Sequence, residues 1–180
     1  YNDHKEEVRA FFLNGMPKGF ITETLKGLDN NFSVDPAQII AITGIPTHGK
    51  SEVVDQMCIG YAIKYGYKTA FASIENKPNK LHHGKLIRKL MGSTPKHKSD
   101  FNDAFEACEK FDDEHFCMID IEGSYDLEKV LLKAEELVYR RGIKILVIDP
   151  FNKVRYKGEV PSITGNKTND YTNIYLTKLD

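Results

Sequence analysis

Paired cysteines are missing from this sequence. Its three cysteines, Cys58, Cys108 and Cys117, are widely spaced, and no CxxC pair occurs. An odd number of thiols without metal-ligand spacing is typical of reduced cysteines in a cytosolic-type compartment, rather than of a disulfide scaffold. We therefore expect these cysteines to serve as small, mostly buried side chains.

Long apolar runs and a strong charge of one sign are missing as well. No run approaches the roughly 18 apolar residues of a membrane span, and no signal-peptide pattern is visible, so we expect neither membrane insertion nor secretion. The formal net charge of -1 provides no overall basic character that would indicate a nucleic-acid partner, although local patches remain open. With 180 residues, 41% hydrophobic and 28% charged, the composition is that of one globular domain of common size.

Four short apolar runs predict β-strands. They are IIAIT (39–43), TAFASIE (69–75), FCMIDIE (116–122) and KILVID (144–149). Each is bounded by turn residues or charges, and runs that are apolar on both alternating faces are typical of strands buried between helices. The segments between them have helical periodicity and predict helices over 51–65, 81–91, 101–111 and 127–140. This alternation indicates an α/β fold with a mostly parallel sheet flanked by helices.

The two ends of the chain differ from this alternation. Residues 1–14 mix Val8, Phe11 and Phe12 with charges, and we interpret residues 1–18 as a linker or docking segment that contains a short helix. Residues 155–173 contain Gly, Pro, Asn and Thr with little periodicity, which predicts a loop.

The stretch GIPTHGKS (44–51) fits the phosphate-loop pattern G-x-x-x-x-G-K-[ST], with a predicted strand before it and a helix after it. Glycine at both ends of the loop permits the backbone to turn its N–H groups towards an anion at a helix N-terminus. The lysine would reach the β- and γ-phosphates and the serine hydroxyl would bind Mg²⁺. We predict nucleotide binding by the whole loop: Gly44, Ile45, Pro46, Thr47, His48, Gly49, Lys50 and Ser51. The alternative is a glycine turn that joins a strand to a helix by chance.

Two acidic residues follow predicted strands in the manner of a hydrolytic site. Asp149 ends the fourth apolar run, where phosphate-loop enzymes hold Mg²⁺ opposite the loop hydroxyl. Glu75 ends the second run, and carboxyl ends of parallel strands face the ligand crevice, so Glu75 could orient and deprotonate an attacking water. An ordinary strand-end glutamate in solvent is the alternative. Asp120 and Glu122 are rival acids, which we rank lower because the third run is expected to lie farther from the phosphates.

Taken together, GIPTHGKS, ASIENKP (72–78) and ILVIDPFNKV (145–154) form a set that resembles the RecA-like motor domain of DnaB-type replicative helicases, in the Twinkle and phage primase-helicase branch. Residues 19–34 resemble that family's lead-in to the phosphate loop, and the resemblance covers about residues 19 to 155. It implies a RecA-like P-loop NTPase core in which Glu75 is the catalytic base, Lys50 assists at the phosphates, and Ser51 with Asp149 holds the metal.

The resemblance also implies cofactors and partners. They are ATP and Mg²⁺, single-stranded DNA, a homo-oligomeric and hexameric ring, and a primase domain or primase partner in DNA replication. The expected location is the cytoplasm of a bacterial or phage-infected cell, or an organellar nucleoid, with no membrane association.

One departure from the family pattern concerns its later parts. The family fold needs further strands after the acid-bearing one, including a strand between it and the phosphate-loop strand, together with DNA-gripping loops and an arginine that reaches a neighbouring subunit's ATP. We therefore expect residues 19–180 to be the N-terminal part of an incomplete RecA-like ATPase domain. By itself this part is expected not to unwind DNA.

Other functions and one basic cluster stay open at the level of sequence. The alternatives to a helicase are a RecA-like recombinase, a signalling ATPase, and a non-catalytic module that binds nucleotide to assemble a ring. A phosphate-transferring kinase is a further, less favoured alternative. The cluster comprises Lys77, Lys80, His82, His83, Lys85, Arg88 and Lys89. We interpret it as a solvated helix face, with a subunit contact as the second interpretation.

Overall fold

The computed structural model describes residues 2–14, 19–92, 98–121 and 125–151. The predicted loop at 155–173, the acid Glu122 and residues 152–154 lie outside these ranges. The elements in chain order are α1 (Asn2–Asn14), α2 (Lys26–Asp29), α3 (Lys50–Tyr65), β1 (Lys68–Ser73), α4 (Asn79–Met91), α5 (Lys98–His115), β2 (Phe116–Met118), α6 (Leu127–Arg141) and β3 (Ile143–Asp149).

The strands form one parallel sheet in the order β2-β1-β3. The central strand β1 is buried from Thr69 to Ser73, and it pairs with β3 so that Ser73 lies opposite Asp149. The sequence therefore predicted the α/β class and the parallel pairing correctly. Because β3 and β2 flank β1 on opposite sides, the third apolar run lies at the edge away from β3, as expected.

Helices cover both faces of the sheet. Ala70 and Ala72 of β1 pack in one buried cluster with Leu127, Val130 and Ala134 of α6. Phe71 points to the other face and packs in a second cluster with side chains of α3, α4 and β2. This alternation follows from the two-residue period of a strand. It explains why the buried residues of β1, from Thr69 to Ser73, are apolar or small.

The prediction of a strand at 39–43 is wrong for the described part of the chain, where this segment pairs with no strand. Ile39, Ile40 and Ile42 are 49%, 40% and 42% exposed. An apolar pattern predicts burial, but a strand also needs a partner backbone about 4.8 Å away. A cavity of about 500 Å³ occupies that place, between this segment and β3.

The helix predictions are confirmed with shifts at some ends. Helices α3 and α6 end at Gly66 and Gly142, which are left-handed C-caps with φ of 65° and 70°. The helix expected over 101–111 runs from Lys98 to His115, and that expected over 81–91 begins at Asn79. The apolar stripe predicts the buried face well, but it does not locate the polar first and last turns of a helix.

The lead-in segment packs against α3. Phe20 and Val34 pair as an antiparallel bridge, and Phe20 contacts the ring of Tyr65 edge-on at a centroid distance of 4.9 Å. The carbonyl oxygen of Thr22 approaches Gly60 so closely that a Cβ there would lie 2.5 Å away. Residues 19–34 therefore fix the helix that follows the phosphate loop.

Three remaining expectations concern the cysteines, the first helix and membranes. Cys58 and Cys117 are buried as expected, while Cys108 is half-buried; all three are free thiols. The short helix expected near the start is present as α1, with Phe12 87% exposed, and its docking role stays a prediction. Within the described ranges, no helix combines the length and apolarity that crossing a bilayer requires.

Candidate functional site

The phosphate loop ends where α3 begins. Gly49 is the N-cap of α3 and has a φ of 79°, in the left-handed region that a glycine adopts without strain. Thr47 also has a positive φ, 66°, which is unusual for a β-branched residue. Backbone strain of this kind is concentrated at ligand sites and switch regions. The loop geometry is therefore compatible with the predicted nucleotide-binding role of residues 44–51.

The Lys50 side chain folds back over its own loop. Its Nζ donates hydrogen bonds to the carbonyl oxygens of Gly44 and Ile45, each at 2.9 Å. His48, one of the predicted loop residues, is exposed, and its Nδ1 lies 2.9 Å from the Pro46 carbonyl oxygen. The ammonium group thus occupies the concave side of the loop, with exchangeable carbonyl partners.

The structure brings together the two predicted metal-binding residues. The Ser51 hydroxyl donates a 2.7 Å hydrogen bond to Oδ2 of Asp149, across 98 residues of sequence. Ser51 lies in the first turn of α3 and Asp149 ends β3, so the contact joins the phosphate-loop helix to the sheet. A hydroxyl and a carboxylate are oxygen ligands of the kind Mg²⁺ prefers.

These two residues fit a Mg²⁺ ion that keeps most of its water shell. Mg²⁺ is commonly bound through one or two protein oxygens together with substrate phosphates and waters. Within the described ranges, no group of three or more His, Cys, Asp or Glu side chains converges as a metal site. The donor set therefore suits a metal that arrives with phosphate better than a permanently bound structural ion.

Glu75 lies in the turn directly after β1 and is exposed. The backbone before it is fixed, because the Ile74 N–H donates to the Asp149 carbonyl oxygen at 3.2 Å. The Asn76 N–H donates to Oγ of Ser73 at 3.2 Å, which closes the turn around Glu75. Glu75 and Asp149 thus lie at the carboxyl ends of the neighbouring strands β1 and β3. The assignment of Glu75 as base stays a prediction.

The rival acid Asp120 forms an ion pair with Lys77. It follows β2 at the far edge of the sheet and pairs with Nζ of Lys77 at 2.6 Å. The hydrogen bond and charge of Lys77 lower the pKa of Asp120, which makes it a poorer base. The described geometry therefore favours Glu75 over Asp120.

The cavity of about 500 Å³ connects these groups. Its walls include Lys50, Ser51 and Asp149, together with Ile42 and Val147 from the two sides that face each other across it. A mostly apolar cleft with a few convergent polar groups is the common form of a ligand site.

Sequence reasoning missed Tyr125. Its hydroxyl is buried and has no hydrogen-bond partner among the described residues. Burial raises the pKa of Tyr125, and the nearby charges of Asp149 and Asp120 raise it further. The residue lies two positions before α6, where no helical or strand period marks it, and its proximity to Asp149 arises from packing between distant segments.

The interpretation of the basic cluster as a solvated helix face is wrong for His82, which is only 2% exposed. Most members of the cluster have specific partners: Lys77 with Asp120, His82 with Asp55, His83 with Asp112, Lys85 with Asn76, and Lys89 with Glu52. Charge composition could not reveal this, because the partners lie on other elements.

Comparisons with known proteins agree with the family that the motifs resemble. No protein-family model matches the sequence. The chain is 30% identical over 191 aligned positions to the Twinkle homolog protein, chloroplastic/mitochondrial, of Arabidopsis thaliana, and the alignment covers 99% of the chain. The chain spans 26% of that relative's length. The similarity supports a relationship with the helicase family that the motifs resemble.

Proposed function

We propose that residues 19–180 are the N-terminal part of a RecA-like ATPase domain in a replicative helicase of the DnaB and Twinkle type. The intact protein hydrolyses ATP with Mg²⁺ and translocates on single-stranded DNA as a hexameric ring. The observation that carries this proposal is the 2.7 Å hydrogen bond between the Ser51 hydroxyl and Asp149. It joins the phosphate-loop hydroxyl to the strand-end acid in the arrangement that magnesium–nucleotide sites use.

The loop residues bind and orient the triphosphate. In the structure the Lys50 ammonium donates to two neutral carbonyl oxygens of its own loop. Phosphate oxygens are stronger acceptors because they are charged, so ATP draws the ammonium from these carbonyls to the β- and γ-phosphates. The N–H groups at the start of α3 add favourable dipoles. Ser51 and Asp149 would hold Mg²⁺, and the bound metal would offset phosphate charge.

Glu75 acts on the attacking water. The water oxygen forms a bond to the γ-phosphorus while the bond from that phosphorus to the β,γ-bridging oxygen breaks, which yields ADP and inorganic phosphate. Glu75 orients the water and accepts its proton. Its turn is anchored by the hydrogen bond from Ile74 to Asp149, which keeps base and metal-binding acid at the same sheet edge.

The remaining fold and assembly features rest on the family resemblance. We propose that an extended segment from elsewhere in the intact protein fills the cavity between residues 39–43 and β3, which makes residues 39–43 a paired strand. An arginine of a neighbouring subunit completes each ATP site and couples hydrolysis to movement. A primase domain or partner supplies primers. The organellar name of the relative supports an organellar nucleoid over a bacterial or phage-infected cytoplasm.

The test is ATP hydrolysis by the intact protein, with and without single-stranded DNA. We expect turnover that DNA stimulates, and a fall of at least about 100-fold in Lys50→Ala, because one charge-stabilising donor contributes that much. Glu75→Gln should lower kcat by about 100-fold or more. Lys64→Ala is the matched control: this lysine lies on the same helix but pairs with Glu23 at the surface, so turnover should be unchanged.

Other outcomes select other functions. Turnover that ignores DNA indicates a signalling-type ATPase, and strand exchange by the intact protein indicates a recombinase. Nucleotide binding without turnover indicates the assembly module. Full activity in Glu75→Gln would remove Glu75 from the role of base.

A further inference from the structure

Two adjacent histidines of α4 bind buried acids on two different helices. His82 Nε2 lies 2.9 Å from Oδ1 of Asp55 on α3, and the two side chains are 2% and 4% exposed. His83 Nδ1 lies 2.5 Å from Oδ2 of Asp112 on α5. The two pairs are chemically alike, but the first faces the phosphate-loop helix and the second faces away from it.

The acid of the first pair lies close to the candidate site. Asp55 follows Ser51 by one helical turn on α3, so both side chains lie on the same face of the helix. Asp55 and His82 line the same cavity as Ser51 and Asp149. A change in the position of α3 at Ser51 is therefore transmitted directly to Asp55.

The histidine of the first pair is close in sequence to the turn that carries Glu75. Helix α4 begins at Asn79, directly after that turn. Lys85, which follows His82 by three residues on α4, donates a 3.2 Å hydrogen bond from its Nζ to Oδ1 of Asn76 in this turn. This hydrogen bond joins α4 to the turn, beside the hydrogen bonds that anchor the turn to β1 and β3, so the orientation of α4 contributes to the position of the turn.

A buried polar pair is a costly way to join two helices. Both groups lose hydration, and apolar side chains of similar volume commonly give equal or greater stability. A hydrogen bond, in contrast, fixes one distance and one direction. Nδ1 of His82 has no hydrogen-bond partner among the described residues, so the hydrogen bond to Asp55 and the edge contact with Phe71, at a centroid distance of 4.6 Å, orient the ring.

We propose that Asp55 and His82 are positioning residues that hold the Glu75 turn in register with the phosphate loop. The inference rests on the proposed function, since it assigns to this pair the alignment of the base with the triphosphate. The pair acts through the helices α3 and α4 and does not touch the nucleotide. Its loss therefore lowers kcat and leaves nucleotide affinity nearly unchanged.

The test compares His82→Leu, His82→Gln and His83→Leu in the intact protein. Leucine removes the hydrogen bond, whereas the amide nitrogen of glutamine takes nearly the place of Nε2 and can still donate to Asp55. We expect His82→Leu to lower kcat for ATP by up to about 100-fold, the loss that a small misplacement of a reacting group causes. KM should stay within about twofold in all three variants, because ground-state binding is unaffected. His82→Gln should recover most of kcat, and His83→Leu should keep the wild-type value.

A second measurement does not depend on turnover. Deuterium uptake by the 74–78 turn should be several-fold faster in His82→Leu than in wild type, His82→Gln or His83→Leu, because opening of a segment follows the loss of the contacts that hold it. If His82→Leu and His83→Leu have equal kcat and equal uptake in this turn, the pair has only a structural role and the inference is wrong. If wild type lacks ATPase activity, the proposed function fails, and the uptake data alone still decide whether the pair holds the turn.

Discussion

The two sides of the candidate site are held in different ways. Asp149 and the residues before Glu75 belong to β3 and β1, which are paired residue by residue, with Ser73 opposite Asp149. The phosphate loop is exposed between Gly44 and His48. Its lysine is bound only by weak, neutral acceptors of the loop itself among the contacts described. Asp149 is thus fixed by strand pairing before a ligand arrives, whereas the loop has contacts that it can exchange.

This difference indicates which residues determine the geometry of the site. Preorganised groups stabilise a reaction most effectively, because they do not rearrange when charge develops. Strand β3 supplies such a group in Asp149, and under the proposed function the loop supplies the surface that binds phosphate. The hydrogen bond from Ser51 to Asp149 is the contact that joins the end of the loop to strand β3.

The largest effect is expected when β3 loses the charge of Asp149, the proposed metal-binding acid. Asp149→Asn keeps the shape and the hydrogen bond from Ser51 but removes the charge. We expect kcat for ATP to fall by about 100-fold to 1000-fold, with a higher Mg²⁺ concentration needed for half-maximal turnover. ATPase titrations with Mg²⁺ measure both quantities.

The rival acid provides the control for this comparison. Asp120→Asn removes the charge that pairs with Lys77, a residue of the turn after β1, and should lower turnover by less than about tenfold. A greater loss in Asp120→Asn than in Asp149→Asn would mean that the reacting phosphate lies near β2. The fixed side of the site would then be β2 rather than β3.

The next effect concerns the exposed segment before the loop. Under the proposed RecA-like fold, residues 39–43 are a paired strand in the intact protein. Ile42→Ala should then lower the free energy of unfolding by about 2–4 kcal/mol, as for buried isoleucines. Ile63→Ala on α3 is the control, since Ile63 is 61% exposed, and it should change the free energy by less than about 0.5 kcal/mol. Equal small effects in urea unfolding would leave residues 39–43 unpaired and argue against the proposed fold.

The sequence predicted elements well where their determinants are local. Helix α6 runs from Leu127 to Arg141 against a predicted 127–140, because its apolar stripe and Gly142 lie within the segment itself. The phosphate loop and Asp149 were likewise visible as short motifs beside apolar runs. The structure adds to these motifs the contact between Ser51 and Asp149.

Elements whose state depends on distant partners could not be predicted in this way. The segment 39–43 has the composition of a strand, yet pairing requires a neighbour that composition does not specify. His82 lies among lysines, and its burial depends on Asp55 on another helix. Tyr125 lies near Asp149 only because α6 packs on the sheet. In each case the missing information is a long-range contact.

The smallest effect is expected for the contribution of the His83–Asp112 pair, between α4 and α5, to stability. The hydrogen bond with Asp112 raises the pKa of His83; the charge of Asp113 adds to this and that of Arg141 opposes it. A raised folded-state pKa contributes stability that is fully present below the unfolded value of about 6.5 and is lost as pH rises through the folded value. His83→Asn keeps a donor near the Nδ1 position but carries no charge, so it should be less stable than wild type by about 1 kcal/mol at pH about 5.5 and nearly equal at pH about 8.5. Urea unfolding at the two pH values measures the difference, and a deficit that grows with pH would assign the opposite sign to this pair.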